Sequence, residues 1–147
     1  NLNEVVWSNA FGDRYITCFI AKYDSKTRVL EYINAAHPAA QLIQNKRVYE
    51  LGQGCVGLGM FEQIPTINKT SKVIAKNAAM LLYTDGITET SNDNEEQFQD
   101  GKMQEVLMGL SQFETKKMNS MLMEALDKFR GKNPYMDDVA LISCRFF

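Results

Sequence analysis

Apolar residues recur along this chain with two different periods, and the change of period divides it. From Arg14 to Tyr83 they come in short runs rich in aromatic and β-branched side chains, broken by Gly, Pro, Asn and Asp. That texture predicts strands joined by turns. "RYITCFIAKYD" and "RVLEYINAA", separated by a polar turn at Asp24-Ser25-Lys26, predict an antiparallel hairpin. "AAQLIQNKRVYEL" predicts a second short pair turning at Asn45-Lys46. "TSKVIAKNAAMLLYT" supplies two more extended segments, the second over Ala79 to Tyr83. Between these lies "GQGCVGLGMF", whose Gly52, Gly54, Gly57 and Gly59 read as a backbone-permissive loop rather than an element.

Beyond Asp85 the period lengthens. "SNDNEEQFQDGK" is polar and reads as exposed. Met103, Val106, Leu107 and Leu110 then recur at i, i+3, i+4 and i+7, a helix with one buried stripe. Met118, Met121, Leu122, Ala125, Leu126 and Phe129 repeat that spacing, with Gly131 suited to a left-handed helix end and Pro134 preventing resumption. Near the start, "NLNEVVWSNAF" carries Leu2, Val5 and Val6 in the manner of a helix end. The chain closes on "DDVALISCRFF", a strand whose run from Val139 to Ile142 suggests burial on both faces. Strands, then two helices, then a returning strand predict an α+β fold with helices packed on a largely antiparallel sheet. No fixed period recurs, which excludes a solenoid.

Composition narrows the function classes. The 147 residues suit one domain, and 16 Lys plus Arg against 18 Asp plus Glu leave a formal charge of -2. Without a basic face to neutralise phosphates, nucleic acid is not the expected partner. No apolar run approaches the roughly 20 residues that span a bilayer, and no secretory signal opens the chain. Cys18, Cys55 and Cys144 are odd in number and far apart, as expected of reduced thiols in a cytoplasmic domain. With one histidine and no Cys-x-x-Cys pair, a zinc site has little to work with.

The residues with chemistry to offer are carboxylates. In "LLYTDGITET" Asp85 ends an apolar strand, and in "YMDDVALI" the pair Asp137/Asp138 precedes another. If those strands are antiparallel neighbours, strand exit and strand entry fall at one sheet edge and the carboxylates converge. Such like charges repel by ~1–4 kcal/mol, which a divalent cation between them relieves, and hard oxygen ligands favour magnesium or manganese. The alternative is two ordinary capping turns. His37, in "NAAHP", reads as a structural hydrogen-bonder. No Gly-x-Ser-x-Gly elbow is present, the glycine loop lacks the Lys-Ser/Thr of a phosphate cradle, and Met118, Met121 and Met123 read as core filler.

Taken in order, "YINAAHPAAQLI", "GLGMF", "MLLYTDGITET" and "FRGKNPYMDDVALISCRF" resemble the metal-dependent PPM-type (protein phosphatase 2C-like) serine phosphatases, in the bacterial SpoIIE/RsbU-like branch. The resemblance runs from about Arg14 to the end. It implies a β-sandwich flanked by helices and a pair of Mn2+ or Mg2+ ions that activate water against phosphoserine or phosphothreonine. It implies further that Asp85 and Asp137 are metal ligands, that Asp138 matches the neighbouring position, and that Gly86 gives backbone beside the metal. Asn34 and His37 belong to the structural loop motif. There the family has Gly where this chain has Ala36, which costs little unless the backbone needs positive φ. The family's remaining acidic motifs have no counterpart here and are expected upstream of Asn1, so residues 1–147 read as a single domain missing its N-terminal part. The fragment alone is expected to be inactive, and an open strand edge would let it form a homodimer. The substrate expected is a regulatory phosphoprotein such as an anti-sigma-factor antagonist, under an upstream sensor domain that could be membrane-tethered. The competing expectation is a non-catalytic interaction module on the same fold.

Overall fold

Strands and helices segregate as the change of period predicts. In the computed structural model the order is α1 (Leu2–Ala10), β1 (Cys18–Asp24), β2 (Val29–Ala35), β3 (Ala40–Gln44), β4 (Arg47–Leu51), β5 (Gly54–Cys55), β6 (Thr70–Val73), β7 (Ala79–Tyr83), α2 (Asp85–Thr88), α3 (Lys102–Leu110), α4 (Thr115–Arg130) and β8 (Leu141–Arg145). The structure describes residues 1–10, 13–99, 101–110 and 112–147; Phe11 and Asp100, which fall in stretches read above, lie outside them. The fold is α+β with largely antiparallel sheets, and the chain divides into two units, Asn1–Ala39 with Leu51–Ile74 and Ala40–Glu50 with Ala75–Phe147.

In the first unit β1 and β2 form the expected hairpin, registered from Cys18↔Ala35 to Asp24↔Val29. Asp24 Oδ1 accepts the backbone N–H groups of Lys26 (2.8 Å) and Thr27 (3.1 Å), closing the turn. Those two donors hold the Asp24 carboxyl below its usual range. β6 pairs antiparallel with β2, and β5 pairs parallel with it. The glycine stretch is thus not wholly loop. A Cβ on Gly54 would lie 1.9 Å from the Asn34 carbonyl oxygen, so glycine alone lets these backbones meet. Cys18 and Cys55 flank Ala35 from opposite sides as free thiols, both pushed up in pKa by burial.

The apolar spacing of α1 misleads. Leu2 and Val5 are each 58% exposed, while Asn3 is 3% exposed. Asn3 Nδ2 donates to the carbonyls of Phe61 (3.1 Å) and Glu62 (3.0 Å), and its Oδ1 accepts the Gly59 N–H (2.9 Å). A buried amide whose bonds are all made recovers the cost of its desolvation, so it can replace an apolar anchor.

The second unit is a four-stranded sheet in the order β4-β3-β7-β8. The β3–β4 turn is the two-residue pair Asn45 (φ 51°) and Lys46 (φ 59°), both left-handed as the twist of a tight hairpin demands. On one face Ile43, Ala79, Leu81 and Tyr83 meet Met103, Leu107 and Leu110 of α3 and Met118, Leu122 and Leu126 of α4 in a single core. The three α4 residues are fully buried. Removing each from water stabilises the unit by about 1.5–3 kcal/mol. Met121 and Met123 pack against the same cluster.

Two expectations fail here. The polar stretch after α2 is not wholly exposed, because Phe98 is buried and packs edge-on to Phe129 at 5.3 Å. β8 is not buried on both faces: Ile142 is 69% exposed. Leu141 joins the core, and Ser143 Oγ bonds Asn119 Oδ1 of α4 at 2.7 Å, so the alternate residue Ile142 turns outward.

Candidate metal centre

The strand pairing on which the expected site depends is present. β7 and β8 are antiparallel neighbours, with Leu82 opposite Ile142 and Tyr83 opposite Leu141. The strand that ends at Tyr83 therefore finishes beside the start of β8. Pairing continues one step beyond the strands, since Thr84 N–H donates to the Ala140 carbonyl at 3.0 Å. The Thr84 side chain then takes over. Its hydroxyl donates to the Asp138 carbonyl (2.7 Å) and accepts the Ala140 N–H (2.9 Å). One threonine thus spans the backbone on either side of Val139.

Asp85 is the first residue of α2, a single turn closed by Glu89 N–H donating to the Asp85 carbonyl at 2.9 Å. No side chain caps its N-terminus. Gly86 comes next and is buried: a Cβ at this position would lie 2.5 Å from the Asp138 carbonyl oxygen and 3.0 Å from that of Asp137. Asp85 and the Asp137-Asp138 backbone are therefore held side by side, with glycine permitting the approach.

Asp85, Asp137 and Asp138 are all exposed. Asp85 Oδ1 accepts the Gly86 N–H (3.1 Å) and Asp137 Oδ1 accepts the Asp138 N–H (2.7 Å). Among the described residues none of the three enters an ion pair. Carboxylate oxygens of this kind suit a hard divalent cation. However, among the described residues no group of three or more His, Cys, Asp or Glu is gathered tightly enough to hold a metal. Among the described residues, then, these carboxylates are donors of suitable chemistry, and no complete set is gathered around one point.

Asn34 and His37 belong to the other unit, where their side chains bond the loop backbone and Thr17. Asn34 is buried, its Nδ2 donating to the His37 carbonyl (2.9 Å) and its Oδ1 accepting the His37 N–H (2.8 Å). His37 Nδ1 lies 3.2 Å from Thr17 Oγ1. Inside the loop so locked, Ala36 sits at φ 54°, a conformation that favours glycine. The residue that sequence reasoning missed is Thr84. Its only signal is a hydroxyl at the last position before the acidic turn, where a threonine ending a strand is unremarked.

Comparison with known proteins places the fold in a class. The SiaA-PP2C domain of Pseudomonas aeruginosa superposes with a TM-score of 0.78 at 17% identity, covering 89% of this chain and 52% of that one. The phosphatase domain of SpoIIE from Bacillus subtilis (Mn presoaked) gives 0.68 at 16% identity, over 88% of this chain and 56% of that one. The RsbU and RsbW domains of a Mycobacterium tuberculosis protein give 0.67 at 22% identity, over 88% and 36%. The fold is that of the PP2C-type phosphatases. The pattern of the Stage II sporulation protein E (SpoIIE) family matches residues 1–147, and the chain belongs to that family. No curated protein matches it. The chain spans about half the length of the first two of these solved structures. Among the described residues no helix is long and apolar enough to cross a membrane.

Proposed function

We propose that this protein hydrolyses phosphoserine or phosphothreonine on a regulatory phosphoprotein, such as an anti-sigma-factor antagonist, with Mn2+ or Mg2+ as cofactor. The observation that carries the reading is the meeting of Asp85 with the Asp137-Asp138 segment at one end of the β7–β8 pair, clamped by Thr84. Membership of the SpoIIE family supports the reaction class.

On this reading Asp85 and Asp137 hold the metal, and Asp138 stands beside them as a further donor. When bound, the divalent cations lower the pKa of water and offset the charge of the phosphoryl oxygens, which removes the need for a protein nucleophile. Thr84 orients the loop that bears the acidic pair, and Gly86 keeps that loop close to Asp85. On the same reading a complete site needs further ligands besides these carboxylates.

The test is phosphate release from a phosphoserine peptide by the full-length protein, with and without Mn2+. We expect metal-dependent turnover that Asp85→Asn abolishes. Full activity of that variant in the presence of metal overturns the assignment. A wild-type protein that neither binds Mn2+ nor releases phosphate supports the non-catalytic interaction module instead.

A further inference from the structure

Thr84 fastens the acidic loop on the C-terminal side of Asp137, and a second set of contacts fastens it on the N-terminal side. Helix α4 ends at Arg130, capped by Gly131 at φ 61°. Three donors then converge on a single oxygen, Asp127 Oδ1: Arg130 Nε (2.8 Å), Arg130 Nη2 (2.8 Å) and the Tyr135 hydroxyl (2.8 Å). The remaining arm of the guanidinium, Nη1, donates to the Asn133 carbonyl at 2.6 Å. Its plane lies over the Tyr135 ring, 4.4 Å from the centroid. Asn133 Nδ2 in turn donates to the Ser91 carbonyl at 3.1 Å, tying the same loop to the segment that follows α2.

An isolated surface ion pair of this exposure would contribute little. The arrangement differs in that one guanidinium uses every arm at once, and one arm, Nη1, together with the stacked face reaches beyond its own helix. A planar fork with an aromatic face beneath it has one geometry, whereas a lysine ammonium has many. The base is rigid, because Met118, Leu122 and Leu126 of the same helix are locked in the core. From Tyr135 to Asp137 only Met136 intervenes, and its side chain is 79% exposed. Asp137 is therefore held between two anchors.

We propose that Asp127, Arg130 and Tyr135 are positioning residues that set the Asp137-Asp138 loop against Asp85, an inference resting on the metal-site reading above. The cluster acts by limiting how far the acidic backbone can drift. Removing it leaves the ligands in place but spread over several positions. Outer partners of metal ligands typically change metal affinity by about 10–100-fold when lost.

The experiment compares wild-type, Arg130→Gln, Arg130→Lys and Tyr135→Phe in the full-length protein. Mn2+ affinity is read by calorimetric titration, and amide exchange over residues 132–140 is read without metal. Arg130→Gln is expected to weaken Mn2+ binding about tenfold and to speed exchange in that segment, with an unchanged Tm. Arg130→Lys should fail to restore affinity, and Tyr135→Phe, which keeps the ring, should lose less than Arg130→Gln. Unchanged Mn2+ affinity and unchanged exchange in Arg130→Gln overturn the proposal. A wild-type protein that takes up no Mn2+ overturns the metal-site reading and the positioning role with it, a result distinct from wild-type binding that the variants fail to weaken.

Discussion

The hydroxyl of Thr84 donates to the Asp138 carbonyl at 2.7 Å while accepting the Ala140 N–H at 2.9 Å. A side chain here does what a further ladder rung would otherwise do. The backbone of β8 is thereby registered against β7 before its first strand residue, at the point where Asp85 leaves the sheet.

Thr84→Val keeps the shape and removes both bonds. It is expected to cost about 1–2 kcal/mol, since two backbone groups lose their partner but remain near water. Thr84→Ser keeps the hydroxyl and should be close to neutral. Chemical denaturation of both variants separates the hydroxyl from the methyl contribution.

Gly86→Ala brings a methyl to 2.5 Å from the Asp138 carbonyl oxygen. Since backbone cannot yield as a flexible side chain does, we expect a loss of about 1–3 kcal/mol. The acidic loop should move away from Asp85, so Mn2+ affinity falls as well. Calorimetric titration alongside thermal melting checks both.

Ala36→Gly should stabilise the protein. At φ 54° an alanine carries left-handed strain of about 1–2 kcal/mol, against which glycine's greater unfolded-state freedom costs roughly 0.5–1 kcal/mol. A net gain of up to ~1 kcal/mol is expected from these two terms. A rise in denaturation midpoint without change in slope would show it.

Tyr83 is pushed above the usual tyrosine range, by burial first; the hydrogen bond from Gln41 opposes the shift and the charge of Glu50 adds to it. A folded-state pKa above the unfolded value means that this contribution is complete below the unfolded value, near pH 10. It is lost as pH rises through the folded value. Tyr83→Phe should therefore flatten the alkaline decline of stability seen in the wild type. Absorbance titration should show Tyr83 ionising late, together with unfolding.

How much of this was legible depends on the range of the interaction. The β1–β2 hairpin, the Asn45-Lys46 turn, β7 and the stripes of α3 and α4 were all read from periodicity, because each rests on neighbours a few positions away. Phe98 was not, since one phenylalanine in a polar stretch has no period; its burial is decided by Phe129 arriving from α4. Asn3 was missed for the same reason, its partners lying near residue 60. Ile142 was misread because alternation within an apolar run is silent until α4 selects one face of β8.

For the candidate site, the sequence by itself determined the donor chemistry: carboxylates at a strand exit and a strand entry, with glycine beside one of them. The tertiary structure alone decided that these ends are neighbours, because antiparallel pairing of β7 with β8 joins segments over fifty residues apart. It also decided how the acidic loop is held. Thr84 on one side and the Asp127–Arg130–Tyr135 cluster on the other act through hydrogen bonds whose partners no spacing along the chain could reveal.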